Sequence, residues 1–260
     1  MHQVRLFFTA LQFFTRLPIP RWVGFDAAWL HQSSRYFPLV GVVVAAIAAG
    51  AYAAAALVLP APVAVLLSTA ASIYATGAFH EDGFADMCDG LGGGMTRERI
   101  LEIMKDSRIG AYGAIGTIVM LGVKCTALAM LPPATAIAAL FLAHPLSRLA
   151  ATALIWRMDY ARDEGKSKPL AQKMNNGEFA IAALTVVLAA GILPQGGWLH
   201  WPAIMAALLA TSASTLWLAA KFRRRIGGYT GDCLGAVQQV TEAAIYLCVL
   251  GSLGQGAWPA

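Results

Sequence analysis

Seven stretches of this 260-residue chain, roughly 36–59, 62–79, 110–131, 134–156, 179–193, 201–220 and 233–250, are apolar over lengths at or near a bilayer crossing. A crossing helix needs about 20 mostly apolar residues, because in hydrocarbon every backbone N–H and C=O must be satisfied within the segment. That repetition leaves one fold class: an all-α, polytopic integral membrane bundle of about seven transmembrane helices. The fifth stretch is short and the seventh carries polar residues. Composition agrees, with 58% hydrophobic and 13% charged residues against about 25% charged in a soluble domain. The N-terminal "MHQVRLFFTALQFFTRLPIP" imitates a signal peptide but has no small-x-small cleavage site, and Arg16, Pro18 and Pro20 follow instead. It reads as a retained, interface-lying helix.

Orientation follows from the basic residues. Of 19 Lys and Arg, four precede the first stretch (Arg5, Arg16, Arg21, Arg35), four lie in 80–109, five in 157–178 and four in 221–225. Only Lys124 and Arg148 fall inside apolar stretches, and the alternate connections carry none. The N-terminus and all three charged loops are therefore expected in the cytoplasm. The same count explains the net charge of +5 without nucleic acid, since cytoplasmic Lys and Arg orient helices and meet anionic headgroups. No soluble domain, repeat or low-complexity segment interrupts the chain, so 1–260 reads as one membrane-embedded domain. Four cysteines without CxxC or metal-ligand spacing read as free thiols packed as small apolar groups.

Three clusters break the apolar pattern. "HEDGFADMCDGLGGG" gathers Glu81, Asp82, Asp86 and Asp89 behind His80, in a chain with 14 carboxylates altogether. If the second span continues as helix, Asp82, Asp86 and Asp89 share one face at i, i+4 and i+7. Like charges so placed repel, and Mg²⁺ is the natural compensating cation, needing a few carboxylates with water and substrate phosphate. The glycines that follow, Gly92 and Gly93 among them, are expected to end the helix and can present N–H groups to an anion. In "KDSRIGAYG", Lys105, Asp106, Ser107 and Arg108 place cations near the acids, as a diphosphate requires. In "GGYTGDCLGA", glycines bracket Asp232, and Gln239 and Glu242 continue along its helical face. Glu242 inside a span is either functional or a structural ion pair with Lys124 or Arg148. His144, before Pro145, reads as a packing residue at a kink.

Together with "LQFFTRLPIP", these motifs resemble the cobalamin synthase family, the adenosylcobinamide-GDP ribazoletransferases, from about residue 6 to 250. The resemblance implies a Mg²⁺-dependent, multi-pass enzyme of the bacterial inner membrane with its active site facing the cytoplasm. Its reaction joins adenosylcobinamide-GDP to α-ribazole or its 5′-phosphate, releasing GMP, the last step of vitamin B12 nucleotide-loop assembly. On that footing Glu81, Asp82, Asp86 and Asp89 are candidate metal ligands. Asp82, His80, Asp106 and Asp232 are candidate catalytic groups, and Lys105, Ser107, Arg108, Gly92 and Gly93 candidate phosphate contacts. Other cobalamin-assembly enzymes are possible partners. Two rival readings fit less well. The CDP-alcohol phosphotransferase pattern begins at Asp86, Asp89 and Gly90 but then meets Gly93 and Gly94 where Ala-Arg should stand. A secondary transporter would show internal repeats and midplane charge.

Overall fold

The computed structural model describes residues 1–162 and 174–254. It contains eleven α-helices among them: α1 (His2–Phe14), α2 (Ala27–Ser33), α3 (Phe37–Ala56), α4 (Ala61–Thr76), α5 (Phe79–Gly93), α6 (Arg97–Ile103), α7 (Ala111–Ala129), α8 (Pro133–Arg157), α9 (Asn176–Ile192), α10 (Trp201–Ile226) and α11 (Gly231–Ser252). Starts and stops follow ordinary capping chemistry. Proline occupies the first turn of α3, α4, α8 and α10, where its missing N–H costs nothing. Asp26, Thr96, Asn175 and Thr230 cap α2, α6, α9 and α11 with side-chain oxygens, and Asn175 with Glu178 forms a full capping box.

The chain is a multi-pass membrane bundle, and its count of long spans differs from seven. Among the described residues, five helical stretches are long and apolar enough to cross a membrane: Ala27–Ala56, α7, α8, α10 and α11. The α4–α5 pair makes a sixth only if taken together, and it bends by 89° at its break. The seventh expected span, α9, has 17 residues, short for a straight crossing.

The second span therefore does not run on through Phe79. Gly77 at φ 67° and Ala78 at φ 59° are both left-handed, and two such residues in succession turn the chain sharply. Glycine takes this region freely, whereas alanine adopts it at a cost of about 1–2 kcal/mol. Arg16 stabilises the turn from outside: its N–H donates to the Ala75 carbonyl at 2.8 Å, and its guanidinium packs against Gly77. Helix α5 thus leaves the bundle direction while keeping Asp82, Asp86 and Asp89 helical.

Helix α8 is central, with 78% of its apolar stretch buried against 22% for α7 and 28% for α10. It packs on α3 and α11. A Cβ at Gly41 of α3 would lie 2.5 Å from the His144 carbonyl, so glycine is what lets these helices meet, the small-residue packing usual in lipid. The outer faces carry exposed Leu67, Ile118, Leu188, Leu209 and Leu216, as a lipid-facing surface must.

One end of the bundle gathers the charged connections. There Asp89 meets Gly110 and Gly113, Arg35 pairs with Glu178, and Arg97 donates to the Ile226 and Ala161 carbonyls at 3.0 and 2.8 Å. The connections 57–60, 130–132 and 193–200 at the opposite end contain no Lys or Arg. Most of the second charged loop of 157–178 lies at 163–173, outside the described residues. Helix α1 packs at the charged end through Leu6, Ala10, Leu11 and Phe14.

Candidate active site

Helix α5 crosses the first turns of α11 at two glycines. A Cβ at Gly83 would lie 3.1 Å from Asp232 Cα, and one at Gly235 would lie 3.0 Å from the His80 carbonyl. This contact brings the acidic face of α5 against Asp232. Asp82 is exposed and Asp86 half-buried. Asp86 lies within electrostatic reach of Asp82, Asp89 and Asp232. Neither Asp82 nor Asp86 has a side-chain hydrogen bond or ion pair among the described residues.

Asp232 is held. It pairs with Arg162 at 2.9 Å and accepts from the Thr230 hydroxyl at 3.2 Å. Arg162 reaches it because 159–161 runs beside 228–230 as an isolated parallel bridge, with Tyr229 N–H donating to Asp159 and Ala161 N–H to Tyr229 at 3.1 and 2.8 Å. Arg162 was not among the residues that the sequence motifs select. Its only signal is a cation in a charged loop, and what pairs it is a contact across 70 residues.

Asp89 is committed elsewhere. Its two oxygens accept from the Gly110 and Gly113 N–H groups at 2.7 and 2.8 Å. Both amides belong to the start of α7, where unpaired donors and the helix dipole favour a carboxylate. Beyond it lies a polar depression lined by Asp89, Arg99, Glu102, Asp106, Arg108 and Tyr112. Arg108 binds Asp106 through Nε and Nη2 at 3.0 and 2.7 Å, and this guanidinium pulls the Asp106 carboxyl down to about 2. Lys105 and Ser107 are exposed beside it. The structure thus separates Asp106 from the α5–α11 crossing and groups it with Asp89.

The glycine run ends α5, as expected, at Gly93 with Gly94 as its C-cap. Gly92 and Gly93 lie in its last turn, where the helix offers unpaired carbonyls and no unpaired N–H groups. As an anion cradle they are therefore corrected. Their role is packing, since a Cβ at Gly92 would lie 2.5 Å from the Tyr112 ring.

Glu81 points inward. Gln239 donates to its Oε1 at 2.9 Å, and Lys124 donates to Gln239 at 2.9 Å and pairs with Glu242 at 2.9 Å. Glu242 also receives Tyr246 OH at 3.0 Å and the Gln238 amide, with His144 Nδ1 at 3.5 Å. Lys124 and Glu242 are 5% and 2% exposed, so the intramembrane charge is a structural ion pair. His144 is part of its surroundings and not a plain packing residue. His80, 5% exposed, stacks on Phe14 at 5.4 Å.

These placements bear on Mg²⁺. Of the four expected ligands, Asp82 and Asp86 stand one turn apart on the open face, Glu81 faces the interior, and Asp89 is engaged by backbone. Unpartnered carboxylate oxygens on a solvent-open face are donors of the right hardness for this ion, which completes its shell with water and phosphate oxygens. Among the described residues no three His, Cys, Asp or Glu converge closely enough to hold a metal unaided. The site fits a metal arriving with phosphate better than one caged by protein.

Comparison with known proteins places nearly the whole chain in one family. Residues 6–250 match the cobalamin-5-phosphate synthase family. Relatives named adenosylcobinamide-GDP ribazoletransferase include one from Leptothrix cholodnii, 47% identical over 95% of each chain. Others come from Shewanella frigidimarina, 44% identical over 96% of this chain and 95% of the relative, and Shewanella woodyi, 43% identical over 96% of each. No solved structure matches. With the match covering nearly its whole length, the chain belongs to the cobalamin-5-phosphate synthase family.

Proposed function

We propose that this protein transfers the adenosylcobinamide phosphate of adenosylcobinamide-GDP to α-ribazole or its 5′-phosphate, releasing GMP, on the cytoplasmic face of a bacterial inner membrane. A hydroxyl of the ribose attacks the phosphorus nearest cobinamide. A new P–O bond forms, the bond to GMP breaks, and GMP leaves with the electron pair. Such transfers ask a protein mostly for positioning and charge neutralisation. The observation that carries the reading is the α5–α11 crossing, which sets unpartnered Asp82 and Asp86 beside Asp232 at the charged end of the bundle.

Mg²⁺ held by Asp82 and Asp86 would neutralise charge on the diphosphate. Asp232, oriented by Arg162 and Thr230, takes the proton of the attacking hydroxyl, and His80 is the neighbouring group able to do the same. Arg108, lining the depression beyond Asp89, and the exposed Lys105 offer cationic contacts to the nucleotide phosphates. From His80 to Asp89 is nine residues, about 14 Å along a helix, so α5 can lie under a diphosphate and part of each substituent. Asp89 fixes the start of α7 against this helix.

The test is turnover by the purified protein in liposomes given adenosylcobinamide-GDP, α-ribazole and Mg²⁺, with nucleotide and corrinoid products separated by chromatography. GMP release equal to formation of the new corrinoid is expected, with loss on chelation and recovery on adding Mg²⁺. No GMP above a protein-free blank refutes the activity, and full turnover in excess chelator refutes the metal.

A further inference from the structure

Next to the carboxylates lies a recess of which the phosphoryl chemistry uses only the His80 edge. It is a narrow cleft between aromatic side chains. Phe14, Phe37 and Tyr229 are among its walls, and Gly231, the neighbour of Asp232, lines it too. Besides the Tyr160 and Tyr229 hydroxyls, its polar lining comes from His80, Gln238 and Arg148. Gln238 is spent on Ser147, Glu242 and Gln239. Arg148 is different. It is 2% exposed, has no ion-pair partner among the described residues, and its Nε has no hydrogen-bond partner. Only Nη1 is engaged, donating to the His144 carbonyl at 3.0 Å and lying 3.5 Å from its Nδ1. Glu242 and Glu81 lie within electrostatic reach of it but not in contact, so the guanidinium keeps an unpartnered buried donor, and its planar fork suits an acceptor brought by a ligand.

We propose that this cleft is the subsite for the planar aromatic base of the ribazole acceptor, with Arg148 donating to the base's unsubstituted ring nitrogen. The proposal rests on the functional reading above and adds to it the binding of the second substrate. A fused benzimidazole is flat and mostly apolar, which suits a narrow slot between aromatic walls. One of its ring nitrogens carries the sugar and the other is an acceptor. With the acceptor at Arg148, the sugar side leaves the cleft past Gly231 toward Asp232, where the attacking hydroxyl has to be. A lipid chain would leave Arg148 unpaired, and a corrin macrocycle with amides around its rim does not suit a narrow apolar slot.

Binding of α-ribazole to the full-length protein in nanodiscs, without the corrinoid substrate, is the direct test, measured by equilibrium dialysis beside KM values for both substrates. An indole riboside, carrying C–H in place of the free nitrogen, should bind wild-type protein about tenfold to a hundredfold more weakly than α-ribazole. Arg148→Gln should bind the two alike. Ala151→Leu adds bulk to the cleft without touching a charge, and keeps the proposal testable if Arg148→Gln does not fold. It should raise the α-ribazole KM about tenfold with little change in that of adenosylcobinamide-GDP. Equal binding of both ribosides by wild-type protein overturns the proposal. So does a rise in the corrinoid KM instead, or no change in either KM, as a lipid-filled cleft would give. Ribazole binding without any GMP release would sink the functional reading and leave the cleft assignment standing.

Discussion

Asp89 is 8% exposed and spends both carboxylate oxygens on the amides of Gly110 and Gly113. Charge-assisted bonds of this kind contribute about 1.5–3 kcal/mol each. Asp89→Ala should therefore lower stability by several kcal/mol, read as a lower unfolding midpoint in detergent, and an unchanged midpoint would contradict the clasp. Asp106 is a milder case. Its carboxyl sits at about 2 through Arg108, below the ordinary value of about 3.9. The pairing thus adds stability above the ordinary value and loses it as pH falls toward 2. Arg108→Ala should return Asp106 toward the ordinary range in a carboxyl NMR titration, and no upward movement would refute the pairing. The acid cluster could be seen in the sequence by its rarity alone. Which acids stay open could not, because Asp89's partners lie 21 and 24 residues away, and Glu81's partner 158 away.

Helix α5 works as an element because glycines let it approach α11 closely. Gly83 and Gly235 each face partner backbone at a distance that a Cβ would crowd, and backbone cannot swing aside as a long side chain can. Gly83→Ala should push the helices apart by a few tenths of an ångström and lower kcat by about tenfold to a hundredfold, since small misplacement of reacting groups is costly. Gly122→Ala on α7, with nothing within 4 Å of the added Cβ, is the matched control and should retain wild-type activity. Equal activities for the two variants would contradict the crossing as the determinant. Apolar lengths foretold most of the helices. The break at Gly77–Ala78 was hidden, because an apolar run into "FHEDGFADMCDG" has continuous helical character and the Arg16 contact that supports the turn is 61 residues distant in sequence. The glycine run does stop the helix, but the Met104 and Tyr112 contacts that call for small residues at Gly90 and Gly92 belong to other elements and were not legible there.

Across the whole molecule, one end carries the candidate site and the interior carries a charge pair that holds α7 to α11. Removing one partner of a buried pair leaves an uncompensated charge and costs about 3–5 kcal/mol, whereas replacing both can be neutral. Glu242→Gln should accordingly depress the unfolding midpoint strongly, and Lys124→Met with Glu242→Gln should recover much of the loss. A double variant as unstable as the sum would contradict the pairing. The distribution of Lys and Arg predicts the polarity of the bundle, and among the described residues the charged connections lie toward one end. A reporter fused after residue 96 should read cytoplasmic. The central claim is that the open carboxylates at that end perform the transfer, and it is tested most directly by GMP release from Asp86→Asn in liposomes at saturating substrates. The account predicts a fall in kcat of about a hundredfold or more, the scale expected when a group neutralising transition-state charge is removed, with membrane insertion and unfolding midpoint unchanged. Near-normal turnover by Asp86→Asn would contradict it.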